Sequence, residues 1–151
     1  MRDSVTVHMR APADAIWPLI SDVTRQKEFT AETFDMEWLD GATGPAVGVR
    51  FRGHVKRNDR GPVYWSVCTI DACEPDREFA FTVSVAGRAV NRWRYVLAPN
   101  GGGTDVTESF ELQDRPSLRF YWWLLGWARR KTNVENMRAT LERMRAAVEA
   151  A

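Results

Sequence analysis

The sequence predicts an α+β fold on three observations. A strand with period-two alternation and a short helix open the chain. A run of strand-like segments follows, joined by tight turns with no helix between them. From about residue 117 the apolar period changes to that of a helix and keeps it to the end. An antiparallel sheet with one apolar face must cover that face, and the C-terminal helix is the one large element available to do so.

The elements follow in order. Residues 4–10 alternate Val5, Val7 and Met9 against Thr6, His8 and Arg10, a strand with one buried side. Residues 11–23 supply Ile16, Trp17, Leu19, Ile20 and Val23 to one side of a helix that Pro12 can start. Pro18 removes a backbone donor there and should shorten or kink that helix. Residues 35–40 lead to a turn-rich connection at 41–48. In residues 49–57, Val49, Phe51 and Val55 oppose Arg50, Arg52, His54 and Lys56, and residues 58–62 make a turn. Residues 63–75 form a strand long enough to need a bulge. Residues 78–85 place Phe79, Phe81, Val83 and Val85 together, and 90–99 set Trp93, Tyr95 and Leu97 against Arg92 and Arg94. The glycines at 101–103 read as a hairpin turn into a last strand at 104–112. In the terminal helix Val134, Met137, Leu141, Met144 and Val148 recur at three- and four-residue steps.

A chain of 151 residues without linker, repeat or low-complexity tract reads as one domain over 1–151. With 21 basic and 20 acidic side chains, it is not built for a nucleic-acid backbone. The stripe Arg50, Arg52, His54, Lys56, Arg57, Arg60 therefore reads as a solvated sheet face. Cys68 and Cys73 lack the spacing and neighbouring histidine of a metal set; they could form a disulfide, but read in preference as two buried thiols in a reducing cytosol. His8 and His54 both fall on polar strand faces, which argues against a histidine triad or a metal site. Residues 41–48 lack the Lys-Ser/Thr ending of a phosphate loop. The first residues are too polar for a signal peptide, and the expected location is cytoplasmic.

The element order and several phrases resemble the START-like (SRPBCC) superfamily, in its bacterial polyketide cyclase/dehydrase-like branch. The phrases are APADAIWPLISDV after the first strand, EWLDGATGPAVGVRFRG, YWSVCTIDACEPDREFAFTV, WRYVLAPNGGGTDVTES and the terminal NMRATLERMRAAVE, which together run over essentially the whole chain. The resemblance implies the helix-grip fold, a curved antiparallel sheet wrapped around the long C-terminal helix with an apolar cavity between them. It also implies a small hydrophobic ligand, since such proteins include polyketide aromatases and cyclases, lipid or isoprenoid carriers and plant hormone-binding proteins. It calls for no cofactor, and it implies the fold more specifically than the function.

Candidate ligand-binding residues are the inward aromatics Phe51, Phe81, Trp93, Tyr95, Trp123 and Trp127, together with Met137 and three polar residues. Glu108 shares strand parity with Val106, Phe110 and Leu112, and Asn91 shares it with Trp93 and Tyr95, so both should point inward. Arg130 falls near the centre of the helical stripe with Trp123, Val134 and Met137. A charge there must be paired or hydrated. Either Arg130 pairs with Glu108, or the helix phase slips near Gly126 and frees it, or it meets a polar group of a ligand that Glu108 helps orient. An enzyme is the alternative to a binding protein: a cyclase or dehydratase in which Arg130 polarises a carbonyl while Tyr95 or Glu108 moves a proton.

Residues 119–131 hold three tryptophans followed by Arg129, Arg130 and Lys131. The eleven residues 118–128 fall short of the roughly 20 that a membrane span needs. On the wheel Tyr121, Trp122 and Leu125 point away from the stripe, so a second surface, a dimer mate or the rim of the cavity mouth, must cover them.

Overall fold

The computed structural model describes residues 2–30, 33–55, 64–113 and 116–150, and within these every side chain but those of residues 33, 34, 55, 64, 117, 118, 121, 122 and 125–129. Strand β1 (Arg2–Met9) is followed by helices α1 (Ala13–Ser21) and α2 (Val23–Gln26). Six strands then run in sequence: β2 (Thr33–Trp38), β3 (Arg50–Val55), β4 (Tyr64–Glu74), β5 (Glu78–Val85), β6 (Arg88–Asn100) and β7 (Gly103–Leu112). Helix α3 (Pro116–Glu149) ends the chain. The strands form one antiparallel sheet in the order β1-β7-β6-β5-β4-β3-β2, gripping α3: the α+β helix-grip arrangement that the resemblance implies.

Alternation does most of the work in the sheet. In β1 every second residue, Asp3, Val5, Val7 and Met9, is buried. The long β4 carries the bulge that its length demands: pairing with β5 slips between Ile70 and Ala72, and Asp71 turns outward to accept from Thr82 and Arg92. At the β6–β7 hairpin Gly101 and Gly102 both have positive φ, 57° and 86°, which suits a two-residue turn between strands of right-handed twist. A side chain at Gly103 would press on the Met9 carbonyl and lie 2.8 Å from His8 Nε2.

The outer face is a ladder of exposed ion pairs, among them Arg50–Asp40, Arg52–Glu37, Arg92–Asp71 and Arg94–Glu78. Arg52 also lies 4.3 Å above the Trp65 ring, on which His54 stacks. The described part of the basic stripe is thus neutralised by neighbouring carboxylates and an aromatic ring. Lys56, Arg57, Arg60 and the turn at 58–62 lie outside the described residues.

One end of the molecule is closed. Helix α1 ends at Ser21, three residues past Pro18, and Asp22 breaks the chain direction by capping α2 through the Thr24 N–H. Ile16, Leu19, Ile20, Val23 and Phe29 then pack with Leu141 and Met144 of α3 and with Met9. The Phe29 carbonyl accepts from Arg143, and Trp17 sits edge-on to Phe79. The opposite end is looser: Met36, Val83, Trp93 and Leu112 face inward by parity but are only partly buried.

Candidate functional site

The inward residues form rows across the sheet, set by register. Val5 faces Glu108, Glu108 faces Tyr95, and Tyr95 faces Phe79. One step toward the looser end, Asp3, Phe110, Trp93 and Phe81 line up. A further step sets Leu112, Asn91, Val83, Cys68 and Phe51 in line. The result is an apolar concave wall with ring contacts of 5.1 Å between Phe51 and Phe81 and 5.0 Å between Trp93 and Phe110.

Three polar side chains interrupt this wall, and each keeps an oxygen without a partner. Tyr95 donates its hydroxyl to Glu108 Oε1 at 2.9 Å, leaving Glu108 Oε2 with no hydrogen bond among the described residues. Asn91 Oδ1 and Asp3 Oδ2 are in the same position. All three residues are buried. Unpartnered buried polar atoms are rare in native proteins, because each costs about 1–3 kcal/mol of lost hydration. Three on one face mark a place where a further polar group is wanted.

Burial also sets the protonation of this group. Desolvation pushes the Glu108 carboxyl up to about 8, against a smaller downward pull from the Tyr95 hydroxyl. The Tyr95 phenol is held well above its ordinary value by burial and by the adjacent carboxyl. At neutral pH the pair is therefore a phenol and a carboxylic acid, both uncharged. With Oε1 accepting from Tyr95, a proton on Oε2 makes Glu108 a hydrogen-bond donor into the apolar wall. The Cys68 thiol, pushed to about 12 by burial, is an inert part of the wall. Cys68 and Cys73 form no disulfide, and Cys73 is half-buried rather than buried.

Of the residues singled out in the sequence, Phe51, Phe81, Asn91, Trp93, Tyr95 and Glu108 share the inner face of the sheet, and Met137 of α3 is fully buried in the core. Trp123 does not join them: its side chain is 78% exposed. The wheel placed it on the same side of α3 as Met137, but its ring stands in solvent. Arg130 does not pair with Glu108 either. Its Nε donates to Asp3 Oδ1 at 2.6 Å, and the guanidinium is half in solvent while Asp3 is buried. Asp3 was legible, since it shares parity with Val5, Val7 and Met9; a strand begun at Ser4 conceals it. The side chains of Trp127, Tyr121, Trp122 and Leu125 lie outside those described. Among the described residues no three His, Cys, Asp or Glu side chains converge as a metal set, and no helix is long and apolar enough to cross a membrane.

A family model described as polyketide cyclase/dehydrase and lipid transport matches residues 2–149. No curated protein matches the chain. Among solved structures, protein Ms6760 from Mycobacterium smegmatis superposes with a TM-score of 0.69 at 18% identity, covering 99% of this chain and 91% of its own. TTHA0849 from Thermus thermophilus gives 0.72 at 17%, covering 99% and 98%. The di-domain ARO/CYC protein BexL of the BE-7585A biosynthetic pathway gives 0.76 at 16%; it covers all of this chain, which spans 50% of BexL.

Proposed function

Because the chain belongs to the polyketide cyclase/dehydrase and lipid transport family, we propose that it binds a small, uncharged apolar or aromatic molecule between the sheet and α3. A lipid, an isoprenoid or a polyketide-like compound fits this description. The observation that carries the reading is the pair of buried, unpartnered oxygens, Glu108 Oε2 and Asn91 Oδ1, in an otherwise apolar wall. Such a wall supplies the binding energy through area, and a few convergent polar atoms fix orientation. Trp93, Val83 and Leu112, half-buried beside Asn91, line the approach. Two unbonded thiols suit a reducing, cytoplasmic setting.

The test is mass spectrometry of the gently purified protein for a copurified apolar molecule, followed by thermal shift across lipids, phenolic polyketides and isoprenoids. Binding should raise the melting temperature of the wild type, and the Asn91→Ala variant should lose about tenfold in affinity. No copurified molecule and no shift across the three classes would overturn the reading.

The enzymatic alternative keeps the same residues and is favoured by one feature, an acid titrating near neutrality beside a phenol. Glu108 would pass a proton to a substrate oxygen while the wall holds the chain folded. Glu108→Gln separates the two readings. A binding protein keeps its affinity within about tenfold, since the amide still offers a donor, whereas a general acid loses turnover by roughly 10²–10⁴.

A further inference from the structure

Helix α3 is longer than the strand β1 it packs against. Arg130 bonds Asp3 near the start of β1, and Glu149 bonds Arg10 just past its end. Residues 130–149 therefore span the whole of β1, and the preceding fourteen residues, about 21 Å of helix, run on beyond it. On this extension Phe120, Trp123 and Leu124 stand at the i, i+3, i+4 positions of one face, exposed by 62%, 78% and 50%. The ring centroids of Phe120 and Trp123 lie 6.2 Å apart, with the planes inclined by 30°. Three adjoining large apolar side chains in water mark an interaction surface.

The charge carried by this stretch of the chain selects its partner. The first nineteen residues of α3, 116–134, contain four cations (Arg119, Arg129, Lys131 and Arg130, the last bonded to Asp3) and no carboxylate, while the other 132 residues hold 17 basic against 20 acidic side chains. A second copy docked face to face would oppose the same cations to themselves. An anionic lipid surface meets both features: its headgroups attract the cations, and its interface takes up tryptophan and phenylalanine. We infer that the N-terminal half of α3 is a docking face for an anionic membrane surface, lying in the interface rather than crossing it. The face stands at the looser end of the sheet, so docking would bring the approach past Trp93 and Leu112 toward lipid. The docking itself does not depend on what the wall binds.

The experiment is cosedimentation of the full chain with vesicles of phosphatidylcholine alone and with about one third phosphatidylglycerol. The protein should pellet with the anionic vesicles at low salt, bind neutral ones at least about tenfold less, and release in concentrated salt. Phe120→Ala/Trp123→Ala should weaken anionic binding by at least about tenfold, and Lys131→Glu by several-fold, with circular dichroism unchanged. Three results would overturn the inference. They are no pelleting with anionic vesicles at low salt, binding indifferent to these substitutions, or a dimer by light scattering that the double substitution dissolves. The last would assign the face to a second copy.

Discussion

Glu108 provides the sharpest prediction, because its protonation has a computable effect on stability. A glutamate in the unfolded chain titrates near 4.5, whereas burial pushes the folded carboxyl to about 8. Between these values the unfolded chain has lost the proton and the folded chain keeps it. The native state binds more protons, so stability falls as pH rises. Each pH unit in that window is worth about 1.4 kcal/mol, which gives roughly 5 kcal/mol over the whole of it. Below the window neither state is charged and no penalty exists; above it both are charged and the penalty is complete. Glu108→Gln removes the titration while keeping an oxygen to accept from Tyr95. Denaturant unfolding from pH 5 to 9 for both proteins gives a difference curve in which the other carboxyls cancel. The Gln variant should gain on the wild type by several kcal/mol between pH 5 and 8, then hold level. A difference curve flat to within about 1 kcal/mol would refute the reasoning, because a carboxyl that ionises freely at pH 6 is not in an apolar wall.

Tyr95→Phe removes the one hydrogen bond that lowers the Glu108 pKa. The variant should shift the titration window upward and cost about 1–3 kcal/mol near pH 6, read from the same denaturation series. Arg130→Ala strips Asp3 of its cation; because the guanidinium is half-exposed, the loss should be about 1–2 kcal/mol rather than that of a fully buried pair. Adding Asp3→Asn should recover part of it in a double-mutant cycle. Trp123→Ala should change stability by no more than about 0.5 kcal/mol, against a loss of about 2–5 for Met137→Ala, compared by chemical denaturation.

The last comparison shows what periodicity can and cannot report. A helical wheel gives azimuth only. Trp123 and Arg130 stand fourteen and seven residues before Met137, within about 40° and 20° of its direction, so the stripe includes them. Height decides the rest. At Met137 the sheet is opposite and the side chain is fully buried; at Arg130 the strand β1 is ending and Asp3 is within reach; at Trp123 the ring is in solvent. In a strand, period two carries more, because pairing with a neighbour fixes height as well as face. Asn91, Tyr95 and Glu108 were therefore legible, and so was the bulge that length demanded of β4. The buried Asn133 and Thr140 of α3 were not. Thr140 returns its hydroxyl to the Asn136 carbonyl, a local bond that makes a polar residue acceptable on the inner face and leaves no trace in a hydropathy pattern.

Function is harder to read than fold here because the inward aromatics serve as core and as wall, and composition treats the two alike. Phe51 and Phe81 are buried by their neighbours, whereas Trp93 and Val83, on adjoining strands of the same face, are not fully covered. The polar atoms narrow the ligand further. A carboxylate ligand needs a cation beside it, and Arg130, the cation α3 brings to this end of β1, is engaged by Asp3. An ammonium ligand would have to ionise Glu108 inside an apolar wall, against the desolvation that keeps it neutral. On the proposed function, a neutral molecule with a carbonyl, ether or hydroxyl oxygen would need neither: it would accept from the acid at Glu108 Oε2, the oxygen that Tyr95 does not reach.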